Sequence, residues 1–183
     1  MNLKYILIAI IIILLIIVLW YIKTYNRLKR ATIKIDEALS GIDVALTKRY
    51  DVLTKTIEVV KGYAKHEKEV LFAVIKLREN MTIKERNIAS DAMDKNFQKI
   101  NAIAEDYPNL KADENFKMLQ KTIIDVEEHL QAARRLYNSN VAIYNELISK
   151  IPSNIVANNL KMAKKEFFEA NPNEKEMLVK FSN

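Results

Sequence analysis

The 183-residue sequence contains no cysteine, only two glycines and only three prolines. The absence of cysteine excludes disulfides, thiolate metal sites and a cysteine nucleophile. So few glycines and prolines leave little material for the tight turns that join β-strands. Hydrophobic residues make up 50% of the sequence and charged residues 28%. This composition, together with the scarcity of turn residues, predicts long helices and an all-α fold.

The net charge is +6, from 29 basic and 23 acidic residues. All the acidic residues follow Ala31, whereas five basic residues precede it. The rest of the chain is therefore nearly neutral, and the basic excess lies in one short stretch. Nucleic-acid binding requires a basic face on a folded domain, so we expect no nucleic-acid partner.

An uncharged run of 18 residues extends from Tyr5 to Ile22. As a helix it would be roughly 27 Å long, close to the hydrocarbon thickness of a bilayer. A cleaved signal peptide would have a shorter apolar region and a small-residue cleavage site. Here the run ends in "WYIK", which is typical of a membrane interface. Residues 1–23 are therefore predicted to be an uncleaved transmembrane anchor.

Basic and aromatic residues follow this run and predict how the chain meets the lipid bilayer. The predicted interface consists of Trp20, Tyr21, Lys23, Tyr25, Arg27, Lys29 and Arg30. The positive-inside tendency places the carboxyl-terminal domain in the cytoplasm, at the plasma (inner) membrane. The basic flank either fixes only this topology, which we favour, or also contacts anionic headgroups.

Apolar spacing predicts the helices that follow the anchor. Steps of three, four and seven residues from Ile35 to Val60 indicate a first helix with a coiled-coil-like seam. Gly62 is predicted to end it. A second helical segment is predicted over about 67–78. A third helix begins at a capping box formed by Thr82 and Glu85.

Proline and capping residues divide the second half of the chain. Pro108 is predicted to end the third helix, and Asp113 to cap the longest helix, over about 114–150. Ser153 is expected to cap a short turn, and a weak helix is expected around Phe167-Phe168. The predicted architecture is an amino-terminal transmembrane helix followed by an up-and-down four-helix bundle over 24–170, with a tail over 171–183.

A chain reversal at Gly62 would set the register of the bundle. Aligning the segments level by level places Tyr137 near Arg49 and Tyr144 opposite Gly41. A mid-helix glycine costs about 1 kcal/mol relative to alanine, and its missing side chain would make room for the tyrosine.

No arrangement of residues in the sequence indicates catalysis. There is no Gly-rich phosphate loop and no HExxH pattern, and His66 and His129 lack the Glu-x-x-His spacing of a di-iron bundle. We therefore predict no catalytic residue, no metal, no cofactor and no enzymatic activity.

Polar residues occupy or border the predicted apolar seams. Arg49, Glu127 and Arg134 are charged, and Asn138 and Asn145 follow the two tyrosines. A buried charge costs several kcal/mol unless it is paired. We favour the interpretation that these groups pair with one another and fix helix register. The alternative is a ligand-binding or sensory module with a polar inter-helix pocket for a small ligand or peptide.

Several stretches, in order, resemble the LemA family over nearly the whole chain. They are "TYNRL", "SGIDVALTKRYDVL", "VVKGYAKHE", "DYPNLKADENFKMLQ", "VEEHLQAARRLYNSNVAIYNELI" and "IPSNIVA". The resemblance implies that nine polar or core residues occupy family-pattern positions. They are Asp43, Arg49, Glu67, Glu127, Arg134, Tyr137, Asn138, Tyr144 and Asn145. The chain departs from the family at "NLKMAKKEFFE", where a Gly-Phe pair is common, so the resemblance assigns no role to that segment.

The resemblance implies a bacterial, membrane-anchored helical bundle of a family without an established enzymatic activity. Some relatives are associated with membrane remodelling, including magnetosome formation. The predicted function is therefore a single-pass scaffold or interaction module at the membrane, in membrane organisation or remodelling. Its expected partners are the bilayer and other membrane or cytoplasmic proteins. Oligomerisation is left open, although the anchor has no Gly-x-x-x-Gly dimerisation motif.

Overall fold

A computed structural model describes residues 3–64, 75, 77–78 and 80–168, and all regular secondary structure among them is helical. The helices are α1 (Leu3–Tyr63), α2 (Ile83–Asp106), α3 (Pro108–Ala112), α4 (Glu114–Ser149) and α5 (Ser153–Asn159). The predicted all-α class is confirmed. The chain forms two compact units. Unit one is Met1–Ala38 with Tyr137–Glu166, and unit two is Leu39–Leu136 with Phe167–Asn183.

The first helix, α1, contains the apolar run and continues without a break to Tyr63. Its amino-terminal part is long and apolar enough to cross a membrane, and none of that stretch is buried in the protein. The helix ends one residue after Gly62, as predicted. Gly62 does not adopt a positive φ, so the helix ends there without the left-handed conformation that glycine often supplies.

The helix boundaries in the middle of the chain follow the predicted signals. At the start of α2, Glu85 N donates to Thr82 Oγ1 (3.2 Å) and Thr82 N donates to Glu85 Oε2 (2.8 Å). The capping box is therefore confirmed. Pro108 lies in the first turn of α3, directly after α2 ends. The predicted segment over 67–78 falls almost wholly outside the described residues, and the described positions 75, 77 and 78 are not helical.

Asp113 caps α4 as expected. Its Oδ1 accepts a hydrogen bond from Phe116 N (2.9 Å), which satisfies one of the free amides at the helix start. This bond is the main reason that the pKa of Asp113 lies below its usual value, and a hydrogen bond from the Tyr63 hydroxyl adds to it.

In unit two, α1 and α2 run parallel. Asp43 pairs with Arg86, and Arg49, six residues further along α1, pairs with Asp94, eight residues further along α2. The first and third predicted segments therefore point the same way, as an up-down-up-down arrangement requires.

Helix α4 runs antiparallel to α1 in unit two. Tyr63 Oη, at the end of α1, donates to Asp113 Oδ2 (2.8 Å), at the start of α4. Arg49 lies fourteen residues before Tyr63. Glu127, the ion-pair partner of Arg49, lies fourteen residues after Asp113. The predicted alignment of Arg49 with Tyr137 is therefore wrong by ten residues. It was built from assumed segment lengths, and the two observed contacts give a different register.

The predicted contact between Tyr144 and Gly41 is also wrong. A Cβ added at Gly41 would have no atom within 4 Å, so the glycine makes no room for a tyrosine. Tyr144 is buried, but its hydroxyl bonds elsewhere in unit one.

The carboxyl-terminal elements differ from the expectation. Ser153 is the first residue of α5, and its hydroxyl does not cap that helix. Instead, its single proton is shared by the carbonyl oxygens of Leu147 (2.6 Å) and Lys150 (2.9 Å), at the end of α4. The expected helix at Phe167-Phe168 is absent, because residues 162–168 form no regular element.

A substitution in the core of unit two tests this packing directly. Eight buried apolar residues form it: Leu53, Val60, Met93, Phe97, Ile100, Ala104, Leu110 and Phe116. We expect Ile100→Ala to lower the free energy of unfolding by about 2–5 kcal/mol, because it deletes a fully buried side chain and leaves a cavity. Urea denaturation followed by circular dichroism measures the change.

Ile88 provides the matched control, because it lies on the same helix but is 59% exposed. Ile88→Ala should change stability by no more than about 0.5 kcal/mol. Equal losses in the two variants would contradict the assignment of the α2 faces.

Candidate functional site

Arg49 connects three helices of unit two. Its side chain, on α1, is only 4% exposed. Arg49 Nη1 donates to Ser90 Oγ (2.9 Å) and Nη2 donates to Asp94 Oδ1, both on α2. Arg49 Nη2 also lies 2.8 Å from Glu127 Oε2, on α4. The guanidinium therefore meets carboxylates from both neighbouring helices, which is how a buried charge is tolerated.

A second arginine reaches the same serine. Arg134 Nη2, on α4, donates to Ser90 Oγ (2.6 Å), so this hydroxyl accepts a bond from each of two arginines. The Arg134 guanidinium also lies over the Phe168 ring, 4.8 Å from its centroid, within the range of a cation–π interaction. We call Arg49, Ser90, Asp94, Glu127 and Arg134 the arginine cluster.

Another ion pair lies one turn away on α2. Arg86 is buried, and it donates from Nε to Asp43 Oδ1 (2.6 Å) and from Nη2 to Asp43 Oδ2 (2.7 Å). This two-bond geometry is the strong form of an arginine–carboxylate pair. Asp43 was a predicted family-pattern residue, and the structure supplies its partner.

The sequence reading missed the α2 contribution of Arg86, Ser90 and Asp94. A signal was present, because these residues recur every four positions and so share one helix face. The apolar residues Met93 and Phe97 lie beside them on α2 and are also buried. Polar residues at helical spacing within a buried stripe indicate partners on the facing helices.

A cleft of about 1050 Å³ opens beside the arginine cluster. Arg49, Asp94, Phe97 and Glu127 are among its lining residues. The side chains of Asp94 and Glu127 are half-buried, whereas the Arg49 side chain is almost fully buried. Burial and pairing of both arginines favour the interpretation that they fix helix register.

Asp91 borders the cluster and carries an unfavourable charge. Partial burial raises its pKa above the usual value, and the Asp94 carboxylate raises it further. The cations Arg134, Lys95 and Arg49 oppose this shift without cancelling it.

In unit one, Tyr137 and Tyr144, each followed by an asparagine, bind a segment without regular secondary structure. Tyr137 Oη donates to the carbonyl oxygen of Glu166 (3.0 Å), and Tyr144 Oη donates to that of Ala163 (3.0 Å). Burial raises the pKa of Tyr144, so its hydroxyl keeps the proton that it donates. Both tyrosines are buried.

Asn145 binds the same segment with both ends of its amide. Its Nδ2 donates to the carbonyl oxygen of Lys165 (2.9 Å), and its Oδ1 accepts from Lys165 N (2.9 Å). All four bonds from α4 to residues 163–166 therefore go to main-chain atoms. We call Tyr137, Tyr144 and Asn145 the Tyr–Asn clamp.

Three further predicted residues are Asn138, Glu67 and Tyr25. Asn138 is half-buried, and Glu67 lies outside the described residues. Tyr25 is half-buried, and Lys29 Nζ lies 5.8 Å from its ring centroid. Among the residues that the structure describes, no group of three or more acidic or histidine side chains is placed to hold a metal ion.

Comparison with known proteins covers the region that contains both features. Residues 38–181 match the model of the LemA family. The chain belongs to the LemA family. It is 27% identical over 155 residues to Protein LemA of Metamycoplasma hominis, covering 82% of this chain and 71% of that protein. It is 28% identical over 71 residues to the Magnetosome protein MamQ of Magnetospirillum gryphiswaldense.

The two similarities cover different shares of the aligned chains. The LemA relative aligns over most of both chains, whereas the match to MamQ covers 39% of this chain and 26% of that protein. The LemA family match includes the arginine cluster, the clamp and the segment that the clamp holds, but begins after the apolar run.

Replacing Asp91 tests the electrostatics of this LemA protein. A carboxyl whose pKa is raised by folding binds its proton more tightly in the folded state, so its ionised form reduces stability at neutral pH. We expect Asp91→Asn to raise the melting temperature at pH 7. The gain should shrink as the pH falls through the raised pKa.

Asp51→Asn, at an exposed position of α1, is the control for the same loss of charge. Melting curves of the three proteins between pH 4 and pH 8 make the comparison. Parallel pH profiles for Asp91→Asn and Asp51→Asn would contradict the effect.

Replacing Asn145 tests the clamp. Asn145→Ala removes two hydrogen bonds to Lys165, each of which contributes about 1 kcal/mol. Trypsin requires a free backbone, so cleavage after Lys164 or Lys165 should accelerate by roughly tenfold or more. Timed digestion followed by mass spectrometry measures it.

Asn140→Ala is the matched control. Asn140 is also on α4 in unit one, but its amide donates to the carbonyl oxygen of Lys34 (3.0 Å). Cleavage at Lys164 and Lys165 should keep its native rate in this variant. Equal acceleration in both variants would mean general loosening of the unit and would contradict the clamp.

Proposed function

We propose that this LemA-family chain is a single-pass membrane protein whose helical units act as a non-enzymatic scaffold or interaction module at the bilayer. Residues 1–23 are the anchor, 24–170 the helical region and 171–183 the tail. In this proposal the anchor spans the inner membrane, and the helical region faces the cytoplasm.

The observation that carries this proposal is the continuity of α1. The apolar run and the first packed helix are one helix, Leu3–Tyr63. In unit one, exposed apolar residues from Leu3 to Ile22 give way directly to the buried residues Thr24 and Leu28. No linker separates the anchor from the packed protein, so the unit is held close to the bilayer surface.

The polar interior also supports a structural role. Arg49, Arg86 and Arg134 are all buried, and each bonds to a side chain from another helix. Groups used in this way hold helices together, whereas a general acid or base must be free to exchange a proton with a substrate. The chemistry of the cluster is therefore that of a scaffold.

The process that we propose is membrane organisation or remodelling. The similarity to a magnetosome protein supports it, although the chain spans only about a quarter of that relative. The partners would be the bilayer and other membrane or cytoplasmic proteins, including further copies of the chain.

Topology labelling tests the proposal, because the chain contains no native cysteine. Asn2→Cys should react with a membrane-impermeant maleimide in intact cells. Lys121→Cys, at an exposed position of α4, should react only after permeabilisation. The protein should also stay in the membrane pellet after alkaline carbonate extraction, because an apolar span of this length inserts stably.

The outcomes separate the parts of the proposal. Release into the alkaline supernatant would contradict the anchor. Retention together with labelling of Lys121→Cys in intact cells would contradict the cytoplasmic orientation and leave the anchor standing.

A further inference from the structure

The carboxyl-terminal end of unit one exposes two large apolar side chains. Ile151, in the turn after α4, is 78% exposed, and Ile155, on α5, is 58% exposed. We call residues 150–161, which contain both, the tip. The other side of α5 is packed, because Val156 and Ala157 are fully buried. The tip therefore has an inner face and a fixed outer apolar face.

The level of the tip along α1 follows from contacts in unit one. Asn140 Nδ2 donates to the carbonyl oxygen of Lys34 (3.0 Å), so these two residues lie level with each other. Leu28 and Thr24 are buried, and the other part of unit one is Tyr137–Glu166, most of which lies beyond Asn140. Helix α4 therefore runs from Asn140 toward the amino-terminal anchor.

Equal helix lengths then place the tip at the end of the apolar run. Lys150 is ten residues beyond Asn140, and Thr24 is ten residues before Lys34. Both steps correspond to about 15 Å of helix. Lys150 is thus level with Thr24, two residues after Ile22, where the apolar run ends. The exposed isoleucines follow within five residues of Lys150.

The charges around the tip complement an anionic surface. Residues 150–166 contain four lysines and a single glutamate. The flank of α1 beside the apolar run adds exposed basic residues: Lys23, Arg27, Lys29 and Arg30. Apolar side chains ringed by lysines and arginines are typical of segments that lie in a membrane interface. Juxtamembrane basic residues are attracted to anionic lipid headgroups.

We propose that the tip is a second membrane contact, in which Ile151 and Ile155 insert among the headgroups of a bilayer containing anionic lipid. Lys161, which is exposed at the end of the tip, pairs with a lipid phosphate. The proposal rests on the membrane anchoring proposed above. It assigns to the tip a role that the anchor alone does not require.

A fluorescence experiment on the full chain tests the tip. Single cysteines replace Ile155 at the tip, Ile12 in the apolar run and Ile143 on α4, and each carries an environment-sensitive nitrobenzoxadiazole dye. The protein is reconstituted into phosphatidylcholine vesicles with or without phosphatidylglycerol. Lipids with a nitroxide near the headgroup quench dyes at the interface.

Ile143 is the matched control, because it is an isoleucine of unit one that is 50% exposed. It lies three residues beyond Asn140 and so about 10 Å further from the anchor than Lys150. In vesicles with phosphatidylglycerol we expect the dye at 155 to emit at shorter wavelength and to be quenched about twofold or more relative to the dye at 143.

The outcomes distinguish the two proposals. A blue-shifted dye at 12 with equal quenching at 155 and 143 would overturn the tip contact and leave the anchor intact. A dye at 12 that emits as in water would overturn the proposed anchoring and the tip contact with it.

Charge reversal tests the role of this lysine. Lys161→Glu should reduce quenching at 155 in phosphatidylglycerol vesicles and leave it unchanged in pure phosphatidylcholine. Unchanged quenching in both would overturn the pairing with lipid phosphates. Circular dichroism of each variant checks that helix content is retained.

Discussion

The buried guanidinium of Arg49 is the constraint on which the register of unit two depends. A charge enclosed by protein must have acceptors in place, and removing one partner of such a pair costs about 3–5 kcal/mol. Arg49 takes its acceptors from α2 and from α4. A slip of either helix by one turn would move its acceptors by about 5.4 Å and leave the charge unmatched. The contact of Tyr63 with Asp113 is consistent with that same register.

In unit one, the carboxyl-terminal segment is held by hydrogen bonds whose spacing matches on both sides, and not by ion pairs. Tyr137 and Tyr144 are seven residues apart on α4, which is about 10.5 Å along a helix. Their acceptors, Glu166 and Ala163, are three residues apart, which is about 10 Å of extended chain. The repeat of the Tyr-Asn pair therefore matches an extended segment that runs antiparallel to α4. Seven residues of helix and three of extended chain cover the same distance.

The sequence was informative wherever a side-chain pattern governs the structure. Apolar spacing predicted the first packed helix, and capping residues located the helix starts at Thr82 and Asp113. The relative register of α1 and α4 was not predictable in this way, because it depends on which ends meet. Ser153 was misjudged because a hydroxyl between two helices can serve the end of one as well as the start of the next.

The extended segment at 162–168 escaped prediction for a different physical reason. Its bonds to Tyr137, Tyr144 and Asn145 use its own main-chain atoms, which every sequence supplies and no sequence pattern marks. Because the clamp binds main-chain atoms, the side chains at Ala163 and Lys165 can change without loss of these hydrogen bonds. The signature of the interaction therefore lies on α4, in the spacing of the two tyrosines, and not in the segment that they hold.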